Sequence, residues 1–200
     1  MLNHGKGNKG MNDNKMNDNK MNKFENPARL AELDPKGTLI KAGLKENMTV
    51  CDIGAGTGVF SFPAAELSGN DIFALEISDG MIELLNSRIH ERKILNIKVK
   101  KVEPPALPLN SDICDMALMV TVLHEIEEKT SMFNEIKRVL KKNGRLLIIE
   151  FHQRETPMGP PVEHRISEEV TQKLCNVHGF KTIDAFSLGT NFYGIVFEKS

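Results

Sequence analysis

The chain has 200 residues, enough for one domain of ordinary size and too few for a second independent core. It is 40% hydrophobic and 26% charged with a formal net charge of −1, a balance that suits a globular protein in water and gives no strongly basic surface for nucleic acid. No stretch approaches the ~20 apolar residues that span a bilayer, and the polar start lacks the apolar core of a secretion signal, so a cytoplasmic protein is expected.

Residues 1–23 carry a tandem repeat, Met11-Asn12-Asp13-Asn14-Lys15 and Met16-Asn17-Asp18-Asn19-Lys20. So few apolar side chains cannot offset the entropy of ordering, which predicts a disordered polar tail and a folded domain over 24–200. Phe24 to Ala42 reads as a helical capping segment, with Asp34 as cap, Pro35 at the first helical position and Gly43 just past the end. Arg29, in Asn26-Pro27-Ala28-Arg29, could face a substrate, but a solvated side chain is the reading preferred.

Thr49 to Ile53 is short and β-prone, and it opens into a loop with glycine at 54, 56 and 58. Glycine tolerates positive φ and has no Cβ, so such a loop turns sharply and lets a ligand touch the backbone. A helix follows from Val59 to Leu67, with Pro63 just beyond its first turn as a source of bending. The loop therefore sits at a strand-to-helix turn, where open α/β sheets bind ligands. A dinucleotide fingerprint would need glycine at position 59, which is Val.

The second strand, Asp71 to Leu75, ends in Glu76, 24 residues after Asp52. A carboxylate there has two oxygens with which to grip the vicinal diol of a ribose. Ser78 is placed to cap a helix through Arg92, its buried stripe being Met81, Ile82, Leu84, Leu85 and Ile89. Asn96 to Val102 is a third strand. Asp115 to Val122 is a near-continuous apolar run, as in a strand covered on both faces, and leads into Leu123-His124-Glu125-Ile126. Lys129 to Lys141 is an amphipathic helix stopped by Asn143-Gly144, and Arg145 to Phe151 is the fifth strand.

Glu150, His152, Arg154 and Glu155 cluster at the end of that strand, before the proline-rich Thr156-Pro157-Met158-Gly159-Pro160-Pro161. They read as a substrate-facing rim or as a solvated loop. Ser167 opens the last helix, Gly179 closes it, and Lys181 to Ser187 with Tyr193 to Lys199 form a closing hairpin. The cysteines, Cys51, Cys114 and Cys175, make neither a CxxC pair nor a metal spacing.

The order Asp52-x-Gly54-x-Gly56-x-Gly58 resembles the first motif of the class I S-adenosylmethionine-dependent methyltransferases, and the later stretches match that family in order from Phe24 to Lys199. The chain looks most like the small methyltransferases related to the quinone-biosynthesis methylases. The resemblance implies an α/β fold, a Rossmann-like seven-stranded sheet of order 3-2-1-4-5-7-6 with the last strand antiparallel and helices on both faces. It implies S-adenosyl-L-methionine as cofactor, held by Asp52, Gly54, Ala55, Gly56, Gly58, Glu76, Ile77 and Met81. Val102 and Glu103 would then lie at the adenine, and Val120 and Thr121 near the methyl group.

The implied partner is a small-molecule methyl acceptor, with no metal. Methyl transfer asks mainly for orientation. Where the acceptor must also lose a proton, Glu150, His152 and His124 are the candidate bases. Two other readings stay open: a non-catalytic module that binds the same cofactor, and an NAD-dependent oxidoreductase, which Val59 disfavours.

Overall fold

The computed structural model describes residues 23–200, so the predicted tail lies outside the described residues apart from Lys23. Seven strands form one sheet: β1 (Val50–Ile53), β2 (Ile72–Glu76), β3 (Ile97–Lys101), β4 (Cys114–Val120), β5 (Leu140–Phe151), β6 (Phe180–Leu188) and β7 (Phe192–Lys199). Their order is β3-β2-β1-β4-β5-β7-β6. The first five are parallel, and β7 runs antiparallel to both β5 and β6. The expected topology is what the chain adopts.

This order positions the site. The chain steps outward from β1 to β3, then crosses back to lay β4 on the other side of β1. Connections leaving β1 and β4 therefore diverge to opposite faces, and a crevice opens at the carboxyl ends of these two strands.

Both faces of the sheet are covered, so its strands are apolar on both sides. On one face Cys51, Ile53, Leu75 and Met119 pack with Phe133 and Ile136 of α5 (Lys129–Val139) and Cys175 of α6 (Glu168–Val177). On the other, Val50, Ile72 and Leu118 pack with Leu33 of α1 (Pro27–Leu33), Leu39 of α2 (Pro35–Lys41), Ala64 of α3 (Ser61–Ser68) and Leu85 of α4 (Asp79–Glu91). Among the described residues no helix is long and apolar enough to cross a membrane.

Several local expectations need correction. The N-terminal segment is two helices, broken at Asp34, whose left-handed backbone (φ 34°) ends α1 while its side chain accepts the Gly37 N–H and caps α2. Helix α3 starts at Ser61, so Pro63 lies in its first turn, where a missing N–H costs little. Ser78 holds the cap position of α4 but its side chain makes no capping bond; its N–H and that of Ile77 both donate to Glu76 Oε1. Helix α5 ends at Val139, two residues early, because Leu140 already pairs with Cys114; the left-handed turn falls at Asn143 (φ 60°) as expected.

The proline-rich loop after β5 is a packed structural loop. Arg165, 6% exposed, lies 5.5 Å from the centre of the Phe151 ring and donates five hydrogen bonds into the segment. It reaches the carbonyls of His152, Arg154, Met158 and Pro160 and the Thr156 hydroxyl, at 2.7–3.4 Å. Arg165→Met leaves those acceptors unpaired. It is expected to lower the unfolding free energy by about 2–4 kcal/mol and to make 152–165 the first segment cut in limited proteolysis; wild-type resistance at that loop would contradict this.

Candidate functional site

A cavity of about 600 Å³ opens at the carboxyl ends of β1, β2 and β4, within the range of pockets that take small ligands. Asp52, Gly54, Ala55 and Gly56 bring the glycine loop to its wall, and Glu76 and Ile77 bring the end of β2. Met81, Val102, Val120 and Thr121 line it as well. Ten of the twelve residues expected at a cofactor thus meet around one space.

The Glu76 carboxylate fixes the loop's shape. Its Oε2 accepts the Gly56 N–H at 2.9 Å, while Oε1 accepts the N–H groups of Ile77 and Ser78, each at 2.9 Å. Three of roughly four lone-pair positions are then filled, and one stays available to a ligand hydroxyl. Asp52, at the end of β1, accepts the Ser61 hydroxyl at 2.6 Å and so ties the strand to the first turn of α3.

The glycines divide by role. A Cβ on Gly54 would lie 2.5 Å from Val122, and one on Gly58 would lie 2.5 Å from Phe62 and 2.9 Å from Leu85. Gly58 is buried by this packing and is not among the residues that line the cavity. Gly56 differs. Its nearest neighbours would be 3.9 Å away, at the Gly54 carbonyl and the Phe24 ring, so the absent Cβ leaves cavity space. Glu103 is also off the wall: it bridges to Ala106 in a tight turn and faces solvent, leaving Val102, Pro104 and Pro105 as the surface there.

At the end of β4, Thr121 has φ 55°, a left-handed conformation that a β-branched residue adopts only when held. Its N–H bonds the Ile149 carbonyl at 2.7 Å and its hydroxyl accepts from Arg29 Nη2 at 3.0 Å. Arg29 was expected in solvent and is 7% exposed, on the cavity wall. Burial lowers its pKa to about 10, against the opposing charge of Glu150. No local signal marks it, because its partner is 92 residues away in sequence.

Of the three candidate bases none lines the cavity. Glu150 is fully buried and accepts His124 Nδ1 at 2.9 and 3.1 Å and the His124 N–H at 3.2 Å. Burial alone would lower the His124 pKa, but the hydrogen bond and charge of Glu150, with Glu125, hold it above the usual value. His124 Nε2 is 3.8 Å from Glu125, and Glu125 does line the cavity. His152 instead packs on the Tyr193 ring at 5.7 Å, and burial, then the charge of Arg154, lower its pKa.

The profile of a family described as a methyltransferase domain matches residues 44–195. A ubiquinone/menaquinone biosynthesis C-methyltransferase of Marinomonas sp. (strain MWYL1) is 27% identical over 124 residues, 60% of this chain and 49% of that protein. Its counterpart in Shewanella oneidensis is 24% identical over 149 residues, 73% of this chain and 55% of that one. The chain spans about half the length of the curated relatives it matches. A solved S-adenosylmethionine-dependent methyltransferase from Aquifex aeolicus superposes with a TM-score of 0.87 at 28% identity, over 91% of this chain and 98% of that one.

The buried acid at the site has a measurable signature. Burial drives the Asp52 carboxyl up to about 6, with the Ser61 hydrogen bond opposing and the Glu76 charge adding to the rise. Its folded pKa exceeds the unfolded value near ~3.9, so between pH ~4 and ~6 the folded state holds a proton that the unfolded chain has lost. This contribution to stability falls as pH rises through that window and is worst above it, by on the order of 2–3 kcal/mol. Asp52→Asn, which still accepts from Ser61, is expected to gain about that much over wild type at pH 7.5 and little at pH 4. Urea unfolding at both values checks it; an equal difference at both would contradict it.

Proposed function

The chain belongs to the methyltransferase-domain family of class I S-adenosylmethionine-dependent enzymes, and from that premise we propose that it transfers a methyl group from S-adenosyl-L-methionine to a small-molecule acceptor in this cavity. The observation that carries the reading is the meeting of the Gly54–Gly56 backbone, the Glu76 carboxylate and the end of β4 around one cavity of about 600 Å³.

The residues present fit the cofactor. Gly56 offers a cradle that a Cβ would fill, and Glu76 keeps an acceptor beside it for a ribose hydroxyl. Val102, Pro104, Pro105 and the 59%-exposed Ile77 give apolar surface suited to a flat base. Val120, Thr121 and Asp52 close the side nearest β4 and β1. S-adenosylmethionine, when bound, supplies an electrophilic methyl group on a sulfonium.

The protein's part is to hold the acceptor in line with that methyl and to exclude water, an orientation effect worth roughly 7–11 kcal/mol. Val122, Ile126 and Met132 supply apolar wall, and Glu125 faces the same space. For an acceptor that must lose a proton, Glu125 is the wall carboxylate backed by a histidine, His124, which Glu150 positions. His152, turned onto Tyr193, takes no part. The relatives named for ubiquinone/menaquinone C-methylation make quinol precursors the first acceptors to assay.

The test follows labelled methyl transfer from S-adenosylmethionine to a panel of quinols, phenols and small acids, with two glycine variants beside wild type. Wild type is expected to methylate a member of the panel. Gly56→Ala should stay within about 1–2 kcal/mol of wild-type stability and lose cofactor binding at least tenfold. Gly58→Ala, whose Cβ meets Phe62 and Leu85, should lose stability by about 2–4 kcal/mol instead. Tight cofactor binding with no transfer to any acceptor would mean a non-catalytic binding module.

A further inference from the structure

Arg29 is the buried cation of the cavity wall, and its charge is incompletely matched. Nη1 donates to the Phe24 carbonyl at 3.2 Å and Nη2 to the Thr121 hydroxyl at 3.0 Å, both neutral acceptors. A guanidinium has five N–H donors, so most of its capacity is unused among the described residues. The rings of Phe24 and Phe192 lie with their centres 5.8 and 5.5 Å from it. Among the described residues no carboxylate comes within the 4.0 Å of an ion pair. Glu150 acts on it only at longer range, and that carboxylate is already committed to His124.

Taking a cation out of water without a paired anion is costly, and spare donors on a cavity wall are a standing site for one. A mere tether for Phe24 would need no permanent charge. The hydrogen bond to the hydroxyl of Thr121, a residue at φ 55°, holds the guanidinium at the end of β4.

We propose that Arg29 recognises a carboxylate of the bound ligand, supplied either by the amino-acid part of the methyl donor or by the acceptor, the inference resting on the reading of this cavity as the S-adenosylmethionine site. A guanidinium meets a planar carboxylate with two parallel N–H donors, a geometry that an ammonium does not reproduce. Arg29 is thus a specificity residue: ligands of the same shape that lack the anion bind less well.

The test is calorimetry at pH 7.5 on wild type, Arg29→Met and Arg29→Lys, titrated with S-adenosylhomocysteine, its carboxyl methyl ester and 5′-methylthioadenosine. If the donor supplies the carboxylate, wild type binds the methyl ester roughly 10- to 100-fold more weakly than the free acid, a comparison that needs no variant to fold. Arg29→Met then loses the same factor for S-adenosylhomocysteine, holds 5′-methylthioadenosine within about twofold, and is partly rescued in Arg29→Lys. If the acceptor supplies it, acid and ester bind alike to all three proteins, and wild type loaded with S-adenosylhomocysteine binds benzoate, which Arg29→Met abolishes. The proposal is overturned if acid and ester bind alike and benzoate does not bind, or if Arg29→Met weakens all three nucleosides equally. Failure of the parent reading looks different: no nucleoside binds wild type.

Discussion

Three backbone N–H groups, from Gly56, Ile77 and Ser78, converge on the carboxylate of Glu76, and the cavity takes its shape from that convergence. Residues 54–58 need positive φ at every second position, a backbone with no regular hydrogen-bonding pattern of its own. Glu76 replaces that pattern by bonding the loop to the end of the neighbouring strand. Asp52 does the same from β1 through Ser61, so two carboxylates at adjacent strand ends hold a loop that carries almost no side chains. A ligand then meets backbone where most proteins would present bulk.

The price is electrostatic. Burial pushes the Asp52 carboxyl up to about 6, and the nearby Glu76 charge adds to the rise. Among the described residues the charge acting on the Arg29 cation is that of Glu150, which is shared with His124. A zwitterionic ligand of the kind proposed would bring an anion to Arg29 and a cation toward the carboxylates of the opposite strand ends.

Much of this was legible in the sequence, for local reasons. The strands are short apolar runs bounded by glycine and polar residues, and strands buried on both faces read that way whatever their neighbours. The glycine loop and Glu76 declare themselves because positive φ and strand-end acidity are properties of single positions. What was not legible depends on contacts distant in the chain. Arg29 reads as solvated until Thr121 and Phe192 close on it, and Glu150 and His124 reveal their pairing only when β5 is laid beside β4. His152, Arg154 and Glu155 resemble a rim because the side chain that gathers their loop, Arg165, lies ten or more residues further on. Glu103 and Gly58 match a motif in sequence, but the turn to Ala106 and the packing on Phe62, which keep them off the cavity wall, are set by neighbours that the motif does not specify.

Fold similarity narrows the chemistry without choosing it, because one scaffold hosts many reactions and only the site decides among them. The central claim is that the glycine loop and Glu76 serve a methionine-derived nucleoside. The most direct measurement is calorimetric titration of the wild-type protein with S-adenosylmethionine and, in parallel, with NAD. The account requires saturable one-to-one binding of S-adenosylmethionine and no heat from NAD; binding of NAD, or of neither, would contradict it.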